Sequence, residues 1–186
     1  MHIQLIFIDL IDMLYYMKIF VFIDSQNLNL GIKSCGWILD FKKFRLYLKN
    51  KYNVTKVYLF IGQVAGNESM YRSLQEMGYI LVFKPTMQYM KEGKKEIKGN
   101  VDAELVLYSS AITFNDYDKA IIVSGDGDFY CLIEFLEDKN KLFKLIVPNN
   151  RYSSLLKKFS SKIIRVDQLK NSLALKKTGI SVRSKP

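Results

Sequence analysis

Five short stretches of this chain are apolar with almost no interruption: KIFVFI (18–23), KVYLFI (56–61), YILVF (79–83), AIIVS (120–124) and LFKLIV (142–147). A strand with one wet face alternates apolar and polar residues. A continuous apolar run therefore belongs to a strand buried on both faces, as in a parallel sheet covered by helices. Helical spacing fills the gaps, over 41–52 (Phe41, Phe44, Leu48), over 68–77 ended by Gly78, over 101–113 (Val101, Leu105, Tyr108, Ile112) and over 129–138. This alternation predicts an α/β fold, a three-layer α/β/α sandwich around a central parallel sheet of about five strands. A short sixth strand, KIIRV (162–166), follows a basic helical stretch. At 186 residues the chain has room for one such domain.

The ends read differently from the middle. Residues 3–16 are strongly apolar, but Asp9 and Asp12 interrupt them and the run falls short of the roughly 20 residues a membrane span needs. Met17 opens the first strand, so residues 1–16 read as an extension of a domain covering 17–167; a helix packed on that domain is the competing reading. Residues 168–186 read as a basic tail. The net charge is +10, and 151–186 alone hold ten Lys or Arg against the single acid Asp167. Such a cluster attracts a phosphate backbone, or merely keeps the chain in solution.

Several chemistries drop out. Cys35 and Cys131 are the only cysteines and form no CxxC pair, which excludes a thiolate zinc site and a disulfide scaffold and fits a reducing cytoplasm. His2 is the only histidine, so triads with an imidazole base have no credible member. No Gly-Lys-Ser/Thr or GxGxxG pattern supports a nucleotide cofactor.

What remains is carboxylates. In an open parallel sheet the loops after the strands converge on one crevice, so polar residues that directly follow an apolar strand are placed to act. KIFVFI runs into Asp24-Ser25-Gln26-Asn27, and AIIVS runs into Gly125-Asp126-Gly127-Asp128. Lys98-Gly99-Asn100-Val101-Asp102 sets a further acid in the first turn of a helix. Each acid alone reads as well as a helix cap or turn residue. Together, Asp24, Asp102, Asp126 and Asp128 at one end of a sheet would repel one another unless a cation neutralised them. Oxygen ligands without His or Cys favour Mg²⁺ or Mn²⁺, ions that activate water for phosphodiester hydrolysis.

FIDSQNLN (22–29), KGNVDAELVLYSSAI (98–112) and AIIVSGDGDFYCLIEFLEDKNKLFKLIV (120–147) resemble the three motif blocks of the NYN domain, the LabA-like branch of the PIN-like nuclease superfamily. The resemblance spans about residues 18–167. It implies a PIN-like fold and a metal-dependent ribonuclease site with Asp24, Asp102, Asp126 and Asp128 as catalytic and metal-binding acids. Asn27 and Ser124 fall on further motif positions and read as substrate-binding. Family members often carry another acid where this chain has Tyr108, with Glu104 one turn earlier as a partial substitute; a catalytically weak RNA-binding module is therefore the alternative. An aspartyl phosphatase at Asp126 ranks last, because Ser124-Gly125 separate that acid from the strand.

The segment 84–98 carries Lys84, Lys91, Lys94, Lys95 and Lys98 around Tyr89 and reads as a basic loop suited to single-stranded RNA. Lys94, Lys95 and Lys98 are the expected phosphate contacts. No membrane partner is expected, a homodimer is open, and the richness in Lys, Ile, Asn and Tyr points to an AT-rich bacterial genome.

Overall fold

The computed structural model describes residues 17–85, 87–91, 94–98 and 102–176. The extension 1–16, Gly99-Asn100-Val101 and the end of the basic tail lie outside the described residues. In chain order the strands are β1 (Ile19–Asp24), β2 (Val54–Gln63), β3 (Ile80–Pro85), β4 (Met87–Lys91), β5 (Lys94–Lys98), β6 (Lys119–Val123), β7 (Leu142–Val147) and β8 (Ile163–Arg165). The helices are α1 (Ser25–Lys33), α2 (Phe41–Tyr52), α3 (Glu68–Glu76), α4 (Asp102–Leu107), α5 (Tyr130–Asp138) and α6 (Lys170–Leu173).

Six strands make one parallel sheet in the order β3-β2-β1-β6-β7-β8. All six residues of β1 are buried. Their side chains alternate between two cores, as the pleat requires. Ile19, Val21 and Ile23 pack with Leu28 and Ile32 of α1, Phe44 and Leu48 of α2 and Leu74 of α3. Phe20 and Phe22 face the other way, toward Leu105 of α4 and Leu132, Ile133 and Leu136 of α5. The second core is aromatic: Phe22 stacks on Tyr58 with ring centroids 5.4 Å apart, and Phe20 meets Tyr117 at 5.5 Å. Apolar demand on both faces is why the sequence of β1 shows no alternation.

The sheet has the five expected strands and, as its sixth, the short one expected over 162–166, which is Ile163–Arg165. Four differences have identifiable causes. The segment after β1 is a helix, α1, although Asn, Ser and Gly are poor helix formers. Burial of Leu28 and Ile32 outweighs that propensity, and the Asp24 side chain caps the helix by accepting the Asn27 N–H. The segment expected as a basic loop over 84–98 instead holds the end of β3 and an antiparallel ribbon, β4 with β5. Its signal is two five-residue runs separated by Glu92-Gly93, a weaker cousin of Asp-Gly between strands.

The helix expected over 101–113 is α4 followed by a π-helical turn, Tyr108–Ile112. There Ser109 and Ser110 donate their hydroxyls to the carbonyls of Leu105 and Val106 at 2.7 and 2.6 Å, a form of back-bonding that distorts helices. At the other end of the chain, α6 is tied in: Leu173 is buried, the Asp40 N–H donates to its carbonyl and Ala174 bridges Leu39. The stretch from 168 to 175, read from sequence as the start of a tail, packs on the domain.

Helix α1 also runs against the chain that leaves β7. A Cβ on Gly31 would lie 2.4 Å from Cβ and 2.8 Å from Cγ of Pro148. In an open helix Ala improves on Gly by about 1 kcal/mol, whereas forcing atoms into a packed contact costs about 1–3 kcal/mol. The clash outweighs the propensity. Gly31→Ala is expected to destabilise the protein by roughly 1–2 kcal/mol, read as a lower denaturant midpoint at unchanged slope.

Candidate active site

Strand β1 has β2 on one side and β6 on the other, so the chain diverges to opposite sides of the sheet at the carboxyl ends of β1 and β6. That divergence opens the crevice in which doubly wound sheets hold ligands. Ile23 pairs with Val123, which places Asp24 beside Ser124.

A chain of hydrogen bonds links the two loops. The Ser124 hydroxyl donates to Asp24 Oδ2 at 3.3 Å and accepts the Asp126 N–H at 3.2 Å. Asp126 Oδ1 accepts the Asp128 N–H at 3.1 Å, starting a 3₁₀ turn over Gly127–Phe129. On the other side Asp24 Oδ1 accepts the Asn27 N–H at 3.0 Å, and Asn27 Oδ1 accepts the Gly125 N–H at 2.8 Å. Asn27 and Ser124 therefore hold the β1 and β6 loops together; each was expected to face substrate, and each has at least one polar atom committed inside the protein.

Asp24 is 5% exposed. Burial pushes its carboxyl above the usual carboxylate range; the Asn27 N–H and the Ser124 hydroxyl oppose that push, while the charges of Asp102 and Asp126 reinforce it. Two of the other three expected acids, Asp102 and Asp126, thus act on Asp24. Asp128 is exposed on the 3₁₀ turn, one step farther out. Among the described residues no three acidic, histidine or cysteine side chains form one compact metal-holding group. Mg²⁺ is commonly held by one or two carboxylates with water completing its shell, and a buried carboxylate pressed by two others is such a donor set. In its chemistry the set fits a hard divalent cation.

Glu104 does not join the acids. Its Oε2 lies 3.3 Å from Lys84 Nζ, at the end of β3. Tyr108 opens the π-helical turn and packs its ring on Tyr58 and Phe60, with centroids 5.8 and 5.6 Å away. Lys94, Lys95 and Lys98 lie in β5 of the ribbon that precedes α4. Sequence reasoning missed the backing of the acidic loop. A Cβ on Gly127 would sit 2.4 Å from Ser153 Oγ, and one on Gly125 would sit 3.2 Å from Tyr152 Cβ. Those glycines permit close approach of two loops, a requirement that a Gly-Asp-Gly-Asp string read as a simple turn conceals.

The model of the NYN domain matches residues 18–167, nearly all of the described chain. The chain belongs to the NYN domain family. Among relatives of this NYN chain is the low amplitude and bright protein LabA of Synechococcus elongatus, 22% identical over 161 residues that make up 83% of this chain and 86% of LabA. A crystal structure of a protein of unknown function from Vibrio parahaemolyticus shares the fold, with a TM-score of 0.69 at 23% identity, covering 86% of this chain and 96% of that one.

The raised Asp24 carboxyl has a consequence for this NYN domain. A carboxyl whose folded pKa exceeds its unfolded pKa costs stability as pH rises from the unfolded value through the folded one, and costs nothing below both. Asn keeps the cap acceptor for α1 and removes the charge. Asp24→Asn is expected to melt a few degrees above wild type at neutral pH in EDTA, with the gap closing below the ordinary carboxylate pKa. Millimolar Mn²⁺ is expected to raise the melting temperature of wild type and leave that of the variant unmoved.

Proposed function

We propose that this NYN chain is a Mg²⁺- or Mn²⁺-dependent endoribonuclease acting on single-stranded RNA at the carboxyl ends of β1 and β6. The observation that carries the reading is Asp24, a buried carboxylate in the field of Asp102 and Asp126 at the switch point of the sheet. Asp24, Asp102 and Asp126 would hold the cation, with Asp128 exposed on the 3₁₀ turn farther out. Bound there, the cation supplies charge neutralisation for the phosphate and a water acidic enough to attack it. Ser124 and Asn27 orient the two acidic loops through the hydrogen bonds that join them. Lys94, Lys95 and Lys98 of the β4–β5 ribbon, and the basic residues from 151 onward, contribute positive charge for the RNA backbone.

A second reading has its own observation. Tyr108 stands where family members often carry an acid and is packed among aromatics, while Glu104 is engaged with Lys84. A chain short of one ligand can keep RNA binding and lose turnover. Digestion of labelled single-stranded RNA separates the two. The ribonuclease reading expects cleavage in Mg²⁺ or Mn²⁺ that EDTA stops, a loss of roughly 100-fold or more in Asp126→Asn, and a loss of about 10- to 100-fold in Ser124→Ala, which removes an orienting group. Binding without cleavage under every metal condition would leave the RNA-binding module.

The C-terminal charge gives an independent measurement. Deleting residues 176–186 removes Lys176, Lys177, Arg183 and Lys185. Each lost phosphate contact on a single strand lowers the slope of log affinity against log salt by roughly 0.7. Weaker binding with a shallower slope, and unchanged cleavage of a short substrate at saturation, are expected. Unchanged affinity and slope would make those residues a solubility feature.

A further inference from the structure

Beside the acids the surface opens into a groove of about 530 Å³. Its floor is the carboxyl end of β2 at Phe60–Gly62, and its walls are α1 and α3. Its lining includes Ser25 and Gln26, the two residues that follow Asp24 at the end of β1. Its volume is that of a small-ligand site.

The lining is of two kinds. Leu30, Ile38 and Met70 stand in the groove 55%, 54% and 42% exposed, an unusual gathering of large apolar side chains left in water. Among them are the amides of Gln26, Asn29 and Asn67, and none of these amides has a side-chain hydrogen-bond partner among the described residues. Elsewhere at this end of the sheet the amides are in use: Asn27 accepts from Gly125, and Asn149 both donates to Gly31 and accepts from Arg151. Lys33 stands at the last turn of α1 on the groove lining.

Apolar contact surface, amides that donate and accept together, and a nearby cation are what an unpaired nucleotide requires. Base faces take the apolar contacts, base edges take the amides, and the backbone takes the lysine. An extended peptide is poorly served. The floor strand β2 is paired on both sides, by β1 and β3, and offers no free edge for strand addition. We propose that this groove seats one or two unpaired nucleobases of an RNA strand next to the phosphate addressed by Asp24, and so sets a base preference. The proposal rests on the ribonuclease reading.

The test uses the full chain and short single-stranded RNAs with one abasic position moved stepwise past a mapped cleavage point, in Mn²⁺. For wild type, an abasic residue at one position beside that point is expected to lower kcat/KM by roughly tenfold. Leu30→Ala/Met70→Ala, which truncates exposed side chains only, is expected to cleave the intact RNA about as slowly and to be indifferent to the abasic residue. Asn29→Ala is expected to change which base is preferred there, with cleavage of the abasic RNA unchanged. Unaltered melting temperatures establish that the variants fold. Equal abasic sensitivity in wild type and the double variant overturns the proposal while leaving the ribonuclease reading intact. So does loss of self-association in the double variant without change in base sensitivity, which would give the groove to a second copy of the chain. If wild type cleaves no RNA, the ribonuclease reading falls, and affinity for intact against fully abasic RNA, measured by fluorescence anisotropy in EDTA, decides the groove alone. A tenfold preference that the double variant lacks would sustain it; equal affinities would overturn it.

Discussion

A carboxylate at the end of a strand buried on both faces is an expensive placement, and the architecture around it follows from that cost. Strand β1 can be apolar from Ile19 to Ile23 because helices cover it on both sides, and this same burial withholds water from Asp24 at its end. The backbone N–H of Asn27 and the Ser124 hydroxyl offset part of the penalty; Asp102 and Asp126 add to it. The groups that set the state of this carboxylate are spread over four elements: β1, α1, α4 and the loop after β6.

The sheet was legible because its chemistry is repetitive. Each apolar run has the same cause, two covered faces, and the runs at 18–23 and 120–124 became the neighbours β1 and β6 whose ends define the crevice. Helix α1 was not legible, because the composition of Ser25–Lys33 argues against a helix and only the distant partners of Leu28 and Ile32 decide in its favour. Asp24 does act as the cap that its place before α1 allowed: one carboxyl oxygen accepts the N–H that starts the helix, and the other meets Ser124. The β4–β5 ribbon was obscured by its composition, since its lysines among few apolar residues read as a loop and only the backbone pairing of 87–91 with 94–98 shows the strands.

The turn at Tyr108 belongs to the same balance. An acid there would have to sit against Tyr58 and Phe60, in the aromatic core. With tyrosine the ring joins the core, and the following serines satisfy carbonyls that a regular helix would have served. The surface of α4 that remains polar presents Asp102 to the crevice side and Glu104 to Lys84. One short helix divides its two acids between a site and a brace.

The close approach of Gly127 to Ser153, and of Gly125 to Tyr152, makes the acidic loop half of a two-part object. Its counterpart is a segment some 25 residues later in the chain, also held by the Ser153 N–H donating to the Gly125 carbonyl. A Ser-Gly-Asp-Gly-Asp string is thus not portable. Grafted after a strand in another sheet, it would keep its acids and lose the surface that shapes them. Within this fold, drift in residues 151–155 can retune the acids without touching any of them.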